Sequence, residues 1–229
     1  MIRINRFLSD RGLCSRRAAD QWIEDGRVTI NGRTARLGDT LEETDEVRVD
    51  GKKVSGGEEK VYLALHKPRG IVCTADPREP MNVVSYLGLP QRIYPVGRLD
   101  KDSEGLLLLT NDGDIVNKVL RASENHEKEY RVWVDRPVTP EFLKGMAGGV
   151  PILDTVTAPC KVWQTGPRAF SIILTQGLNR QIRRMCEYFG FRVVRLMRIR
   201  IMHIRLGNME EGHYRSLTEE EIRKLKGDK

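Results

Sequence analysis

Residues Pro95–Asp114, PVGRLDKDSEGLLLLTNDGD, decide how the rest of the sequence is read. Ile93, Tyr94 and Val96 give the approach the β-branched and aromatic character of a strand. Gly97-Arg98-Leu99-Asp100 breaks that run and sets an arginine and a carboxylate in a turn. Leu106 to Leu109 then supply an uninterrupted apolar run, short enough for a strand buried on both faces. Asn111-Asp112-Gly113 closes it with turn-forming residues. The stretch therefore places a carboxylate on a loop between two core strands, where a rigid scaffold presents a reactive group. Asp100 and Asp102 could equally do no more than cap the turn.

The 229 residues allow one large domain or two unequal ones. A hydrophobic share of 39% supports a real core, and a net charge of +7 points to polyanionic partners, nucleic acid first. Cys14, Cys73, Cys160 and Cys186 lie far apart with no CxxC pair, which reads as reduced structural thiols of a cytoplasmic protein. His66, His126, His203 and His213 show no HxxxH or HxH spacing, so no metal is expected. No phosphate-binding glycine motif indicates a nucleotide cofactor, and no stretch approaches a membrane span or a signal peptide.

The first sixty residues read as a module of their own. Ile4, Phe7 and Leu8 share one helical face that Gly12 ends. Ser15 suits the cap of a second helix carrying Ala18, Ala19, Trp22 and Ile23, stopped by Gly26. Asn31-Gly32 between two short extended runs predicts a hairpin, and Asp45–Val49 a further strand. Charge is lopsided: Met1–Arg36 holds eight basic residues against four acidic, while residues 37–59 hold three against eight. Helices carrying Arg3, Arg6, Arg16 and Arg17, followed by the Asn31 turn, could grip a phosphate backbone. Arg3–Leu41 resembles an S4 domain, a small αα-β RNA-binding module, along nearly its whole length. The resemblance implies RNA binding through Arg3, Arg6, Ser15, Arg16, Arg17 and Asn31.

Ser55–Lys60 is glycine-rich and charged, a linker that puts the domains at 1–59 and 60–229. Beyond it, strands are expected at Val61–Leu65 and Ile71–Thr74 around a turn at His66–Gly70. A loop at Ala75–Pro80, a short helix at Met81–Leu87 and a helix at Asp114–Leu120 follow. A strand at His126–Val134, a Thr139-capped helix from Pro140 to Met146 and a strand at Phe170–Thr175 complete the pattern. Strands outnumber helices without regular alternation, so the fold class is α+β with a mixed sheet.

From Leu178 to Arg205 the sequence carries eight arginines against one acid, Glu187. Asn179 suits the cap of a helix with Ile182, Met185, Cys186 and Phe189 on one face and Gly190 as its stop. Arg180, Arg183 and Arg184 fall off that face, and Arg192, Arg195, Arg198 and Arg200 stud strand-like segments. A run of one sign repels itself unless it meets an anion, so contact with nucleic acid is expected. One of these arginines could instead turn inward to neutralise a buried carboxylate.

Tyr94–Asp100 (YPVGRLD), Lys128–Tyr130 (KEY) and Gly177–Met185 (GLNRQIRRM) together resemble the S4-domain pseudouridine synthases that modify bacterial ribosomal RNA. NKVLRASENHEKEY and GVPILDTV look most like the F branch acting on large-subunit (23S) rRNA. Some relatives of that branch continue into a long basic tail, whereas this sequence stops soon after Arg223-Lys-Leu-Lys-Gly. The resemblance implies isomerisation of a uridine in a structured RNA stem-loop by a monomer needing no cofactor; related branches act on small-subunit ribosomal RNA or other uridines, and whether transfer RNA is also a substrate stays open. Asp100 would be the catalytic carboxylate, ionised yet shielded from water, with Arg183 as its neutralising partner. Tyr130 would stack on the uracil, and Arg98 would fill the gap left by the flipped nucleotide. Leu99, Leu174, Asn179, Arg180 and Arg184 complete the implied substrate site. Two rivals remain. A glycosidic-bond hydrolase would need a second carboxylate, for which Asp102, Glu104 and Asp112 are candidates. A non-catalytic RNA-binding or ribosome-assembly factor would leave Asp100 unexplained.

Overall fold

A computed structural model describes residues 1–57, 59–76, 78–120 and 126–227. Position 58 of the expected linker, position 77 of the expected proline loop and positions 121–125 of the NKVLRASENHEKEY stretch lie outside the described residues. The chain divides into two compact units: Met1–Lys60 with Pro90–Arg92 and Asn111–Gly113, and Val61–Leu89 with Ile93–Thr110 and Asp114–Lys229.

The first unit runs β1 (Ile2–Arg3), α1 (Ile4–Asp10), α2 (Arg16–Glu24), β2 (Val28–Ile30), β3 (Arg33–Thr34), β4 (Thr40–Leu41), β5 (Val47–Val49) and β6 (Lys52–Lys53). Its helices form where the apolar spacing places them. The Ser15 hydroxyl accepts the Ala18 N–H at 3.0 Å and caps α2. Asn31 and Gly32 have φ of 49° and 82°, the left-handed pair that a two-residue hairpin of matching twist requires. The four-stranded sheet β3-β2-β5-β6 packs Val28 and Val47 with Leu8, Ala19 and Ile23 of the helices.

The second unit contains β7 (Tyr62–Lys67), α3 (Val83–Leu87), β8 (Tyr94–Val96), β9 (Glu104–Thr110), α4 (Gly113–Leu120), β10 (Lys128–Val134) and α5 (Pro140–Ala147). It continues with β11 (Pro151–Ile152), β12 (Thr155–Val156), β13 (Lys161–Gly166), β14 (Ala169–Leu174) and α6 (Gln181–Tyr188). β15 (Val193–Ile201), β16 (Ile204–Arg205), β17 (Tyr214–Ser216) and α7 (Glu219–Lys226) close it. Its sheet has the order β13-β14-β10-β15-β9-β7-β17, with β16 beside β15 and β8 beside β9. Only the β9–β15 pair is parallel among these described strands, so the sheet is mixed.

The leucine run behaves as its composition requires. All of β9 is buried, and alternate side chains enter different cores. Leu106 and Leu108 pack with Ala64, Val96, Ile115 and Leu225, whereas Leu107 and Leu109 pack with Leu65, Ile71, Ile93 and Leu99. Each such leucine contributes about 1.5–3 kcal/mol of burial. A third cluster joins Val132 and Val134 of β10 to Phe142, Phe170, Ile182 and Met185. Phe142 meets Phe170 edge-on at 5.4 Å within it.

Three expectations are corrected. Ile71–Thr74 is not a strand; it makes one isolated bridge, Val72 to Asn82. Val72 exchanges hydrogen bonds with Met81 and Val83, and helix α3 begins at once, so no ladder can propagate. His66 and Lys67 finish β7 and do not belong to the turn. Asn179 does not cap α6: Arg180 takes that position in a left-handed conformation, φ 50°, with no side-chain cap.

β9 pairs with β15 at Gly105, which faces Arg198 and has φ +107°. A Cβ there would meet the Arg198 carbonyl oxygen and lie 2.7 Å from the Arg198 backbone nitrogen. Gly105→Ala is therefore expected to lower the thermal midpoint by several degrees, since both backbone strain and the clash act against the fold. An unchanged midpoint in a melting experiment would contradict this account of the strand junction.

Candidate active site

The second unit carries an open cleft of about 960 Å³ beside the Asp100 turn. Asp100 is its only lining carboxylate among the described residues. The turn lies between β8 and β9, and both ends are fixed. Leu99 is buried with Leu107 and Leu109, and its N–H donates to the Cys73 sulfur at 3.3 Å. Lys67, wholly buried, donates from Nζ to the carbonyls of Ser103 and Pro68, each at 2.8 Å. Burial pushes the Lys67 ammonium below its ordinary pKa, and it pushes the Cys73 thiol up.

Helix α6 faces the turn. Arg183 is buried; its Nη2 donates to the Asp102 carbonyl and the Ser103 hydroxyl, both at 3.1 Å, and its Nε lies 3.9 Å from an Asp100 carboxylate oxygen. Of the arginines near the N-terminus of α6, Arg183 is thus the one that turns inward. The left-handed Arg180 swings its guanidinium towards the same acids, forking onto Asp102 at 3.2 and 3.1 Å and lying 3.7 Å from Asp100. Asn179 instead accepts from Arg184, through its carbonyl and Oδ1 at 3.2 Å each. Tyr130 lines the cleft on β10 and packs partly into two of the hydrophobic clusters, at their seam.

The implied substrate residues divide accordingly. Arg98, Leu99, Asp100, Tyr130, Leu174, Asn179 and Arg180 line the cleft, and Arg183 stands behind Asp100, whereas Arg184 is not in the lining. The Asp100 side chain keeps 31% of its surface exposed, so the carboxylate is wet, not shielded. In the first unit Arg16 and Arg17 are exposed at the start of α2, and Arg3 is exposed in β1. Arg6 pairs with Asp10, Ser15 is occupied as a cap, and Asn31 bonds Asp45 and the Glu46 N–H.

The arginine run is less available to nucleic acid than its sequence suggests. Arg183, Arg198 and Arg200 are buried. Arg200 forks onto Glu127 and Glu129, and Arg195 onto the buried Glu104 at 2.6 Å, with Arg69 at 3.6 Å. Glu104 is thereby sealed, and neither it, Asp102 nor Asp112 is among the described lining residues. Among the described residues the cleft therefore shows no second carboxylate of the kind a hydrolase needs. Lys67, Cys73, Ser103 and Arg198 lie outside the quoted motifs, and Lys128, within KEY, is given no role by them. Lys67 and Arg198 each sit in an apolar strand, where charge without a partner in sequence was the available signal.

The chain thus combines an αα-β module with a mixed sheet whose cleft presents Asp100 among arginines. Residues 61–188 match the RNA pseudouridylate synthase family and residues 2–47 the S4 domain. A dual-specificity RNA pseudouridine synthase RluF from Salmonella typhi is 52% identical over 222 residues, covering 96% of this chain and 77% of its own. Ribosomal large subunit pseudouridine synthase B of Bacillus subtilis is 36% identical over 235 residues, covering 99% and 96%. A crystal structure of a pseudouridylate synthase superposes with a TM-score of 0.71 at 29% identity, covering 98% of this chain and 100% of that one. The chain belongs to the RNA pseudouridylate synthase family. It is an isomerase that converts uridine in RNA to pseudouridine.

Asp102 offers a check on the site's electrostatics. Burial alone would raise its carboxyl pKa, but the Arg180 hydrogen bond and the Arg183 and Arg180 charges outweigh burial and hold it below the usual 3.8. Its stabilising contribution is then complete above the unfolded value and fades as pH falls through the depressed folded one. Asp102→Asn is expected to flatten the acid side of a melting-temperature profile below about pH 4. Identical acid limbs for both proteins would refute the pairing.

Proposed function

We propose that the protein isomerises a uridine in a stem-loop of large-subunit ribosomal RNA, with transfer RNA as a second substrate, and acts as a cytoplasmic monomer. The name of the B. subtilis relative and the RNA-binding module support the substrate. The observation that carries the chemistry is Asp100: a lone cleft carboxylate with two guanidinium groups within 4 Å and a tyrosine in the same wall. A stacked uridine cannot enter, so the nucleotide flips into the open cleft, which has ample room for a nucleoside. Asp100 then acts as nucleophile at C1′ or C6, or as base at C2′. Arg183 offsets its charge, Tyr130 stacks on the ring, and the exposed Arg98 occupies the space vacated in the RNA.

The test is to map pseudouridines in ribosomal and transfer RNA with and without the protein, then with Asp100→Asn. The variant should fall by at least about 10³-fold while still binding RNA. Pseudouridine formed at the normal rate by Asp100→Asn would remove the assignment. Loss of uracil from the RNA mass would restore the hydrolase instead.

RNA contact by the arginine run falls to residues that are not spent internally, above all the exposed Arg192 and Arg205. Replacing either with alanine should reduce the slope of log affinity against log salt by about one, without changing which uridine is chosen. Unchanged slopes for both would move the phosphate grip elsewhere.

A further inference from the structure

Arg198 is left over from the roles given so far. It stands in the middle of β15, opposite Gly105 of β9 and Tyr130 of β10. It lines the cleft yet is only 3% exposed. Nε donates to the Leu106 carbonyl at 2.7 Å and Nη1 to the Arg98 carbonyl at 3.3 Å. Nη2 is enclosed and has no hydrogen-bond partner. A guanidinium N–H in that state is unfavourable until an acceptor reaches it, and native folds rarely retain one without use. Lys128 lines the same cleft and donates to the His126 carbonyl at 3.2 Å. Its ammonium pKa is pushed down by burial and by the charge of Arg198. Among the described residues neither cation pairs with a carboxylate; carbonyl oxygens alone hold them.

The acceptor that fits is a flat one. A backbone phosphate keeps solvated oxygens and belongs at the open rim, near Arg98 and Arg180. A donor as enclosed as Arg198 Nη2 suits a flat, weakly solvated acceptor better than a phosphate, and an extruded uracil brings carbonyl oxygens at C2 and C4. The charge also matches. When the C1′–N1 bond breaks, its electron pair leaves with N1, and the detached ring is an anion shared among N1, O2 and O4. C1′ is meanwhile satisfied by the Asp100 carboxylate or by loss of the C2′ proton. After the ring turns, the C5 electron pair forms the C5–C1′ bond, C5 releases its proton, N1 gains one, and any proton lent from C2′ returns. Nothing is oxidised and no co-reactant is consumed.

We propose that Arg198, with Lys128 beside it, is the anion-holding wall of the cleft: its free Nη2 donates to a carbonyl oxygen of the extruded uracil and stabilises the detached ring. This rests on the uridine-isomerising function above and assigns a catalytic residue that the GRLD, KEY and QIR motifs do not. A hydrogen bond to O2 or O4 strengthens as the ring becomes anionic, so it favours the high-energy state over the bound substrate.

The test combines protein and base substitutions. Single-turnover conversion is measured for wild type, Arg198→Met and Arg198→Lys on RNA bearing uridine, 2-thiouridine or 4-thiouridine at the mapped position. Arg198→Met should convert uridine about 10²-fold more slowly, the usual cost of deleting one such donor, with RNA affinity little changed. Sulfur is a weak acceptor, so the penalty should collapse towards unity for whichever thio-substrate replaces the contacted oxygen. A residue that merely ties the Leu106 and Arg98 backbone would show the same penalty on all three RNAs. That result, or full activity of Arg198→Met, overturns the proposal. If melting shows Arg198→Met to be unfolded, Arg198→Lys supplies the same three-substrate comparison. A wild-type protein that leaves uridine unconverted would fail the parent function instead, and the two failures are read in separate lanes of one assay.

Discussion

The site depends on β9 being buried on both faces. A strand solvated on one side could shift its register by a residue and turn Asp100 away from α6 at small cost. β9 cannot, because Leu106 and Leu108 are committed to one core and Leu107 and Leu109 to another. A slip would exchange those environments at every position. Leu99 sits in the same core as Leu107 and Leu109, so the residue next to Asp100 is anchored by the strand that follows it. The parallel contact with β15 at Gly105 adds a backbone approach that only glycine permits.

Held in that way, the turn is positioned chiefly by cations acting on backbone oxygens. Lys67 donates to Ser103, Arg183 to Asp102, and Arg198 to Arg98 and Leu106. Charge-assisted hydrogen bonds are shorter and stronger than neutral ones, and these reach the chain on both sides of Asp100. Positive charge serves two ends at once: it fixes the loop, and it surrounds the cleft with a field that favours an anion. Asp102 absorbs much of Arg180, which leaves Asp100 in longer contacts, 3.7 and 3.9 Å, and free to meet a substrate.

Elements whose identity is set locally were legible in the sequence: the Ser15 cap, the Asn31-Gly32 hairpin, the leucine strand and the Thr139-capped helix. The Asp100 turn was legible for the same reason, since glycine breaks and apolar runs bracket it. What failed depended on partners distant in the chain. Ile71–Thr74 has strand composition but meets only the entry to α3. Asn179 is a good cap by type, yet a left-handed Arg180 brings a guanidinium to Asp102, some eighty residues away. Strained backbone at a functional turn is a usual exception to local rules. The arginines divide for a related reason. A one-sign run looks like a surface for nucleic acid, and nothing in Leu178–Arg205 shows that Glu104, Glu127 and Glu129 consume Arg195 and Arg200.

The exposure of Asp100 changes what RNA binding must accomplish. With 31% of its side-chain surface exposed, the Asp100 carboxylate remains in contact with water, which competes for its charge. The cleft is open to solvent, and a uracil stacked against Tyr130 would cover Asp100 with its own ring. Under that arrangement the RNA is the missing wall, and contacts made far from the reacting atoms supply the free energy that desolvates the carboxylate. Loosely held RNA would then be processed slowly even with the correct uridine in reach, so recognition of the surrounding fold and the rate of the chemical step are one property of this site.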